Sequence, residues 1–139
     1  MTILQPQKAL AFAFWELRRV LIAISGDGWV ELRAMSLLVC TQVGLILSLF
    51  GIASISLKRS FIPTHGLGLT LFGVLVATAV TALNYYGVQY KDRWKHFENE
   101  FNGYSKSVKT IGCLVVIALP ILTAAAMSWT AATMARLSL

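Results

Sequence analysis

Charge is scarce in this chain, and it is missing altogether from three long stretches. Asp, Glu, Lys and Arg make up 13% of the 139 residues and hydrophobic residues 57%, against about 25% and roughly 45–50% in soluble globular domains. A soluble fold of this length needs more charge to hold its surface in water, so the apolar excess must face another medium. The same excess excludes a disordered chain. Cysteine is nearly absent: Cys40 and Cys113 stand 73 positions apart, without a C-x-x-C, which excludes a disulfide scaffold. Catalytic signatures are also missing. There is no phosphate-binding loop, no G-x-S-x-G, no H-E-x-x-H and no pair of carboxylates placed for acid–base work. Gly66, Gly68 and Gly73 are out of register for a dinucleotide fingerprint. Glu98 and Glu100, two apart, point to different sides of a helix. The expectation is a non-enzymatic protein with no cofactor and no bound metal.

What is present are three apolar windows. No Asp, Glu, Lys or Arg occurs in 34–57, 60–90 or 110–135, which are 24, 31 and 26 residues long. A helix crossing a hydrocarbon core of ~30 Å needs about 20 such residues. The windows predict spanning helices over 34–57, 67–90 and 110–135, joined by a short loop containing Pro63 and a longer one over 91–109. Continuous apolar runs exclude a β-barrel, whose strands alternate over ~10 residues. The fold expected is an all-α integral membrane protein of a single domain, 1–139.

The N-terminal segment is apolar too, but Glu16, Arg18 and Arg19 interrupt it. Each charge would cost ~2.5–3.5 kcal/mol at the bilayer centre. Leu10, Phe14, Leu17, Leu21 and Ile24 form one stripe at helical spacing, which predicts an interfacial helix over 7–25 that dips into the headgroup boundary or packs on the bundle. A fourth span and a cleaved signal are the competing readings. The run Val20–Ile24 is too short for a signal's apolar core. Ser25-Gly26-Asp27-Gly28 breaks the helix. Asp27 is then placed to cap the next one, and Glu31 falls in its first turn.

The net charge of +6 reads as a topology signal and not as a nucleic-acid footprint. With three spans, the N-terminal segment and the 91–109 loop share a side. They carry Lys8, Arg18, Arg19, Arg33, Lys91, Arg93, Lys95, Lys106 and Lys109, nine of the twelve basic residues, leaving Lys58, Arg59 and Arg136 opposite. The positive-inside rule then places the N-terminus and the long loop in the cytoplasm and the C-terminus outside. Tyr85, Tyr86, Tyr90 and Trp94 at one end, and Trp129 at the other, fit the aromatic belts of the two interfaces.

Intramembrane charge marks ion and proton pathways, and its absence argues against a pump. Gln42 and Asn84 are the main candidates to line a passive pathway. Cys40 and Cys113 read as small buried thiols; His65 and His96 fall on opposite sides and cannot share a metal. The informative pattern is one of packing. Gly44 and Ser48 are four apart, as are Gly73, Ala77 and Thr81, and Ala124 and Ser128. Small residues so spaced let helix backbones approach closely in lipid. Pro120 falls inside the third span and is expected to bend it. Tyr86, Tyr90, Trp94, Phe97, Phe101 and Tyr104 predict an aromatic stripe on a helix continuing from the second span to Asn102-Gly103, packed on the N-terminal helix or lying in the interface, with a docking surface for a partner as the alternative. Gly44, Ser48, Gly73, Ala77, Trp94, Phe97 and Phe101 are the candidate residues for helix packing or partner contact.

The residues Asn84-Tyr85-Tyr86, Tyr90-Lys91, Arg93-Trp94, Phe97-Glu98 and Gly112 resemble a pattern of small three-span bacterial inner-membrane proteins. Those have a short N-terminal helix and a basic aromatic loop before the last span. Some of them look like immunity proteins, which bind and block a toxin acting in the same bilayer. The resemblance covers about residues 80–120 and implies a multi-pass protein of the bacterial inner membrane that binds another membrane protein or itself. It carries over no residue role. An accessory subunit of a larger respiratory, photosynthetic or secretion complex is the alternative, with a passive channel or carrier last.

Overall fold

The computed structural model describes residues 6–63 and 66–137, and within them the chain is helical throughout, with no strand. Five α-helices follow in order: α1 (Pro6–Ser25), α2 (Val30–Leu57), α3 (Gly66–Asn84), α4 (Lys95–Asn102) and α5 (Lys106–Arg136). A π-turn (Tyr85–Gln89) and a 3₁₀ turn (Tyr90–Asp92) lead out of α3. Three segments are long and apolar enough to cross a membrane: Val30–Leu57, Gly66–Asp92 and Lys106–Arg136, with mean hydropathies of 2.1, 2.0 and 2.3. At 1.5 Å per residue, the 28 residues of α2 extend about 42 Å, beyond the ~30 Å hydrocarbon core. α5 runs on through Pro120 without a break. Thr64, His65 and Ser138 lie outside the described residues.

The bundle is organised by the contact between α2 and α5. Along α2 the buried positions include Ala34, Leu38, Thr41, Gly44, Ser48, Gly51 and Ser54; along α5 they are Gly112, Val116, Thr123 and Thr130. Val116, Thr123 and Thr130 recur every seven residues, the repeat of a left-handed helix pair. A Cβ on Gly44 would lie 2.5 Å from Thr123 Cγ2, and one on Gly51 would lie 2.9 Å from Thr130 Cβ. Numbers rise together on the two helices, so α2 and α5 are parallel, as first and third spans must be.

α3 stands apart. It packs chiefly on α2, and only Val80 and Asn84 are buried on it. In its most apolar window 6% of residues are buried, against 33% in α2. Two side-chain contacts mark the seam: the Phe50 and Phe72 rings meet edge to face with centroids 5.6 Å apart, and Asn84 pairs with Gln42.

The most densely buried region is at one end of the bundle, around α1. Ala11, Phe14, Trp15 and Leu17 of α1 join Ala34, Met35 and Leu38 of α2, Val88, Trp94, Phe101 and Val116 in one apolar cluster. α1 therefore packs on the bundle. Its expected stripe is only partly the buried face: Phe14 and Leu17 are inside, but Ile24 is 76% exposed and the charged Glu16 is fully buried.

Other expectations are corrected here. The second span does not continue as one straight helix into the aromatic stripe. The π-turn is followed by Lys91 and Asp92, both left-handed at φ 53° and 52°, a conformation that non-glycine residues seldom adopt. The segment 91–109 is not a loop but mostly helix, α4 and the start of α5, with α4 ending at Asn102 as Asn102-Gly103 implies. Asp27 does not cap α2 through its side chain. The residue before the helix is Trp29, itself left-handed and without a side-chain cap. Instead Arg33 Nη1 donates to Ser25 Oγ at 2.9 Å, tying the α1–α2 turn together.

Candidate functional site

Two regions contain the residues singled out by the sequence: the α1 end of the bundle and the seams of α2 and α3. At the α1 end, Trp94 and Phe101 are 1% and 0% exposed. Both are buried against α1, the packing reading of the aromatic stripe, and neither is on a free surface in this chain. Trp94 meets Phe14 edge-on at 5.7 Å, and the Arg18 guanidinium stacks over its indole at 5.1 Å. Phe97 is half-buried against Phe101, centroids 5.9 Å apart. Phe12 fills the gap between Trp15, Phe101 and Tyr104. α4 is short, eight residues, and is held in place by this aromatic cluster and by an ion pair from Lys8 to Glu100.

Glu16 is the unexpected charged residue. Its side chain is fully buried, and Arg19 Nη2 approaches Oε2 at 2.7 Å. The approach is poorly aligned for hydrogen bonding, since neither carboxylate oxygen has a hydrogen-bond partner; the contact is an ion pair. Burial raises the Glu16 pKa, opposed by the nearby Arg19 and Lys109. The position is tight: a Cβ on Gly112 would lie 2.9 Å from the Phe12 ring and 3.3 Å from Glu16 Cγ. Arg19 also donates to the Lys109 carbonyl at 3.4 Å, so α1 is pinned to the start of α5. The sequence marked Glu16 as a charge to be kept out of lipid. The signal it missed is that Glu16 lies between Trp15 and Leu17, on the side of α1 turned toward the protein.

Along the spans, Gly44 and Ser48 are buried in the α2–α5 seam and serve internal packing. Ser48 Oγ and Thr123 Oγ1 are both buried there without a hydrogen-bond partner. Gly73 and Ala77 are half-buried on α3, and a Cβ on Gly73 would meet nothing within 4 Å. The close approach expected at Gly73 is therefore not made within this chain. Ala124 and Ser128 are exposed on α5.

Gln42 and Asn84, the candidates for a polar pathway, bond to each other. Asn84 Nδ2 donates to Gln42 Oε1 and to the Val80 carbonyl, and Gln42 Nε2 donates back at 3.4 Å. Their depths in sequence, eight residues past the first window's start and six before the second's end, match, and this was the available clue. No family of known proteins supplies a further guide: no protein-family model, curated protein or solved structure matches the chain.

Among the described residues, no group of three or more His, Cys, Asp or Glu side chains is placed to hold a metal. Cys40 is exposed on α2 and Cys113 half-buried on α5, which corrects the expectation that both thiols are buried. His96 is exposed.

Proposed function

We propose that this chain is a small, non-enzymatic protein of the bacterial inner membrane that acts by binding another integral membrane protein. The observation that carries the reading is α3: it is as apolar as the other two spans, yet packs chiefly on α2. A span with one packed neighbour exposes most of its circumference to lipid. A second protein's helix then displaces only acyl chains to reach it, and association is decided by van der Waals fit. Leu71 and Leu75 project from the side of α3 away from α2, 59% and 70% exposed. In the proposed topology the α1 end, with nine basic residues, is cytoplasmic.

The test is photo-crosslinking in native membranes from a photoreactive residue at Leu71 or Leu75. A discrete protein adduct at either position is expected, and lipid adducts alone at both would end the binding reading. An immunity role predicts in addition that expression protects cells against a membrane-acting toxin. An accessory role predicts instead a stable multi-subunit complex on purification. Orientation is read with Ser60→Cys in a background where Cys40 and Cys113 are Ser. The exposed α2–α3 loop should label from outside intact cells; labelling only after lysis inverts the topology.

A further inference from the structure

We propose that the end of α3 nearest α1 holds one anionic glycerophospholipid, with its phosphate on Arg93 and an acyl chain lying along the small residues of α3. Two depressions run together here. One, of about 400 Å³, is walled by Gln7 and Leu10 of α1 and by Leu83 and Tyr86, with Arg93 in its lining. The other, of about 470 Å³, runs along α3 past Ala77, Thr81 and Ala82 to the Tyr85 and Tyr86 rings. Both are lined by Ala82 and Tyr86, so they adjoin, with a cation in the lining of one and a mostly apolar lining in the other; a lipid lying across both would use them as one trough.

The dimensions suit a lipid. From Tyr86 to Ala77 the trough follows nine residues, about 14 Å at a 1.5 Å rise. That is close to the ~15 Å thickness of one leaflet, half of the hydrocarbon core. The small side chains of Ala77 and Ala82 leave the depth that a chain of methylenes needs, and the tyrosines stand where an interfacial belt places them.

Charge complementarity selects the headgroup. Among the described residues, Arg93 and its neighbour Lys91 form no ion pair, whereas the intervening Asp92 is taken by Lys95 at 2.9 Å. The Arg93 guanidinium lies 5.6 Å from the Tyr90 ring, a stacking distance that leaves its N–H fork available for phosphate oxygens. The left-handed Lys91 and Asp92 turn the chain sharply after the π-turn, and Arg93 is the residue that this turn delivers to the trough. Basic pockets beside membrane helices at the headgroup level bind anionic lipids through these same contacts.

The proposal rests on α3 being a membrane span, but not on the protein partner proposed above. Its test uses the full chain, delipidated in detergent and titrated with phosphatidylglycerol or phosphatidylcholine of identical acyl chains, read by native mass spectrometry. One retained phosphatidylglycerol per chain is expected, bound about fivefold more tightly than phosphatidylcholine, the contribution of one basic residue at the headgroup level. Arg93→Gln should abolish that preference, Ala82→Trp should weaken both lipids by filling the trough, and Lys106→Gln should change neither. Helical circular dichroism confirms that each variant is folded. Equal retention of the two lipids by the wild-type chain, or a preference that survives Arg93→Gln, overturns the proposal. So does glycerol phosphate competing as well as the whole lipid, which would make this a site for a soluble anion. A polypeptide crosslinked from position 82 would assign the trough to a protein and overturn it likewise. Failure of the membrane reading is distinguishable, because the chain would then be released from membranes by alkaline carbonate.

Discussion

Gly44→Ala is the sharpest test of how the bundle is held together. Its added methyl would sit 2.5 Å from Thr123 Cγ2 and 2.9 Å from Met127 Sδ, where carbon atoms settle at about 3.5–4.0 Å. Met127 is flexible and can swing away. Thr123 is β-branched, buried and stiff, so α2 and α5 must move apart by about 1 Å or Thr123 must leave its rotamer. Overpacking of this kind costs about 1–3 kcal/mol. Gly73→Ala supplies the control within the same chain: nothing lies within 4 Å of the new methyl, and the gain in helix propensity is at most about 1 kcal/mol. Thermal unfolding in one detergent should therefore rank Gly73→Ala at or above the wild type and Gly44→Ala below it by several degrees. Adding Thr123→Ala should rescue Gly44→Ala, because it removes the colliding Cγ2 and discards a hydroxyl that has no hydrogen-bond partner. The double-mutant cycle should show a favourable coupling of about 1 kcal/mol or more. Equal stability of the two glycine variants, or no rescue by Thr123→Ala, would refute the close α2–α5 contact.

Three other expectations follow from single residues. Replacing Asn84 alone with Leu should loosen α3 by about 0.6 kcal/mol, the mean for such interhelical bonds in membranes, and Gln42→Leu in the same chain should recover part of it; strictly additive losses measured by unfolding would argue against the pair. Trp94→Ala should cost about 3–5 kcal/mol, as for other buried tryptophans, and appear as loss of folded protein on size-exclusion chromatography; a folded variant lacking only partner binding would return Trp94 to the surface. Burial raises the Glu16 pKa above its ordinary 4.5, so the folded chain holds that proton more tightly than the unfolded one. Its contribution to stability is present below pH 4.5 and is lost as pH rises through the raised value. Compared with Glu16→Gln, the wild type should thus lose ground in melting temperature as pH is raised from about 4 to about 8. A difference that grows with pH would mean that the Arg19 ion pair, and not burial, governs this carboxylate.

The spans were legible in the sequence because a lipid-crossing helix is a local property. Twenty or so apolar residues without charge satisfy both the backbone and the bilayer, whatever the rest of the chain does. For the same reason Ser25-Gly26 and Asn102-Gly103 marked helix ends: the residues at the turn decide the closure, left-handed at Gly26 and through the Gly103 N–H to the Asn99 and Glu100 carbonyls. The small residues of α2 and α3 looked alike in sequence, yet Gly44 is clamped against Thr123 while Gly73 faces open space. Spacing states only that a helix can approach, and the fold alone decides which helix does. The same holds for polar groups. Gln42 and Asn84 look like pathway residues until α2 and α3 are set side by side, when each becomes the other's hydrogen-bond partner. Trp94 and Phe101 share a stripe in sequence, but which element they pack on is decided by the turn at Lys91–Asp92, which sets α4 against α1. No periodicity announces that turn: Lys91 and Asp92 are themselves exposed and left-handed against their local preference, between the buried Val88 and Trp94. Glu16 shows the limit most clearly: its charge predicts exposure, and only the packing of α1 on α5 encloses it, with Arg19 close enough to make the enclosure tolerable.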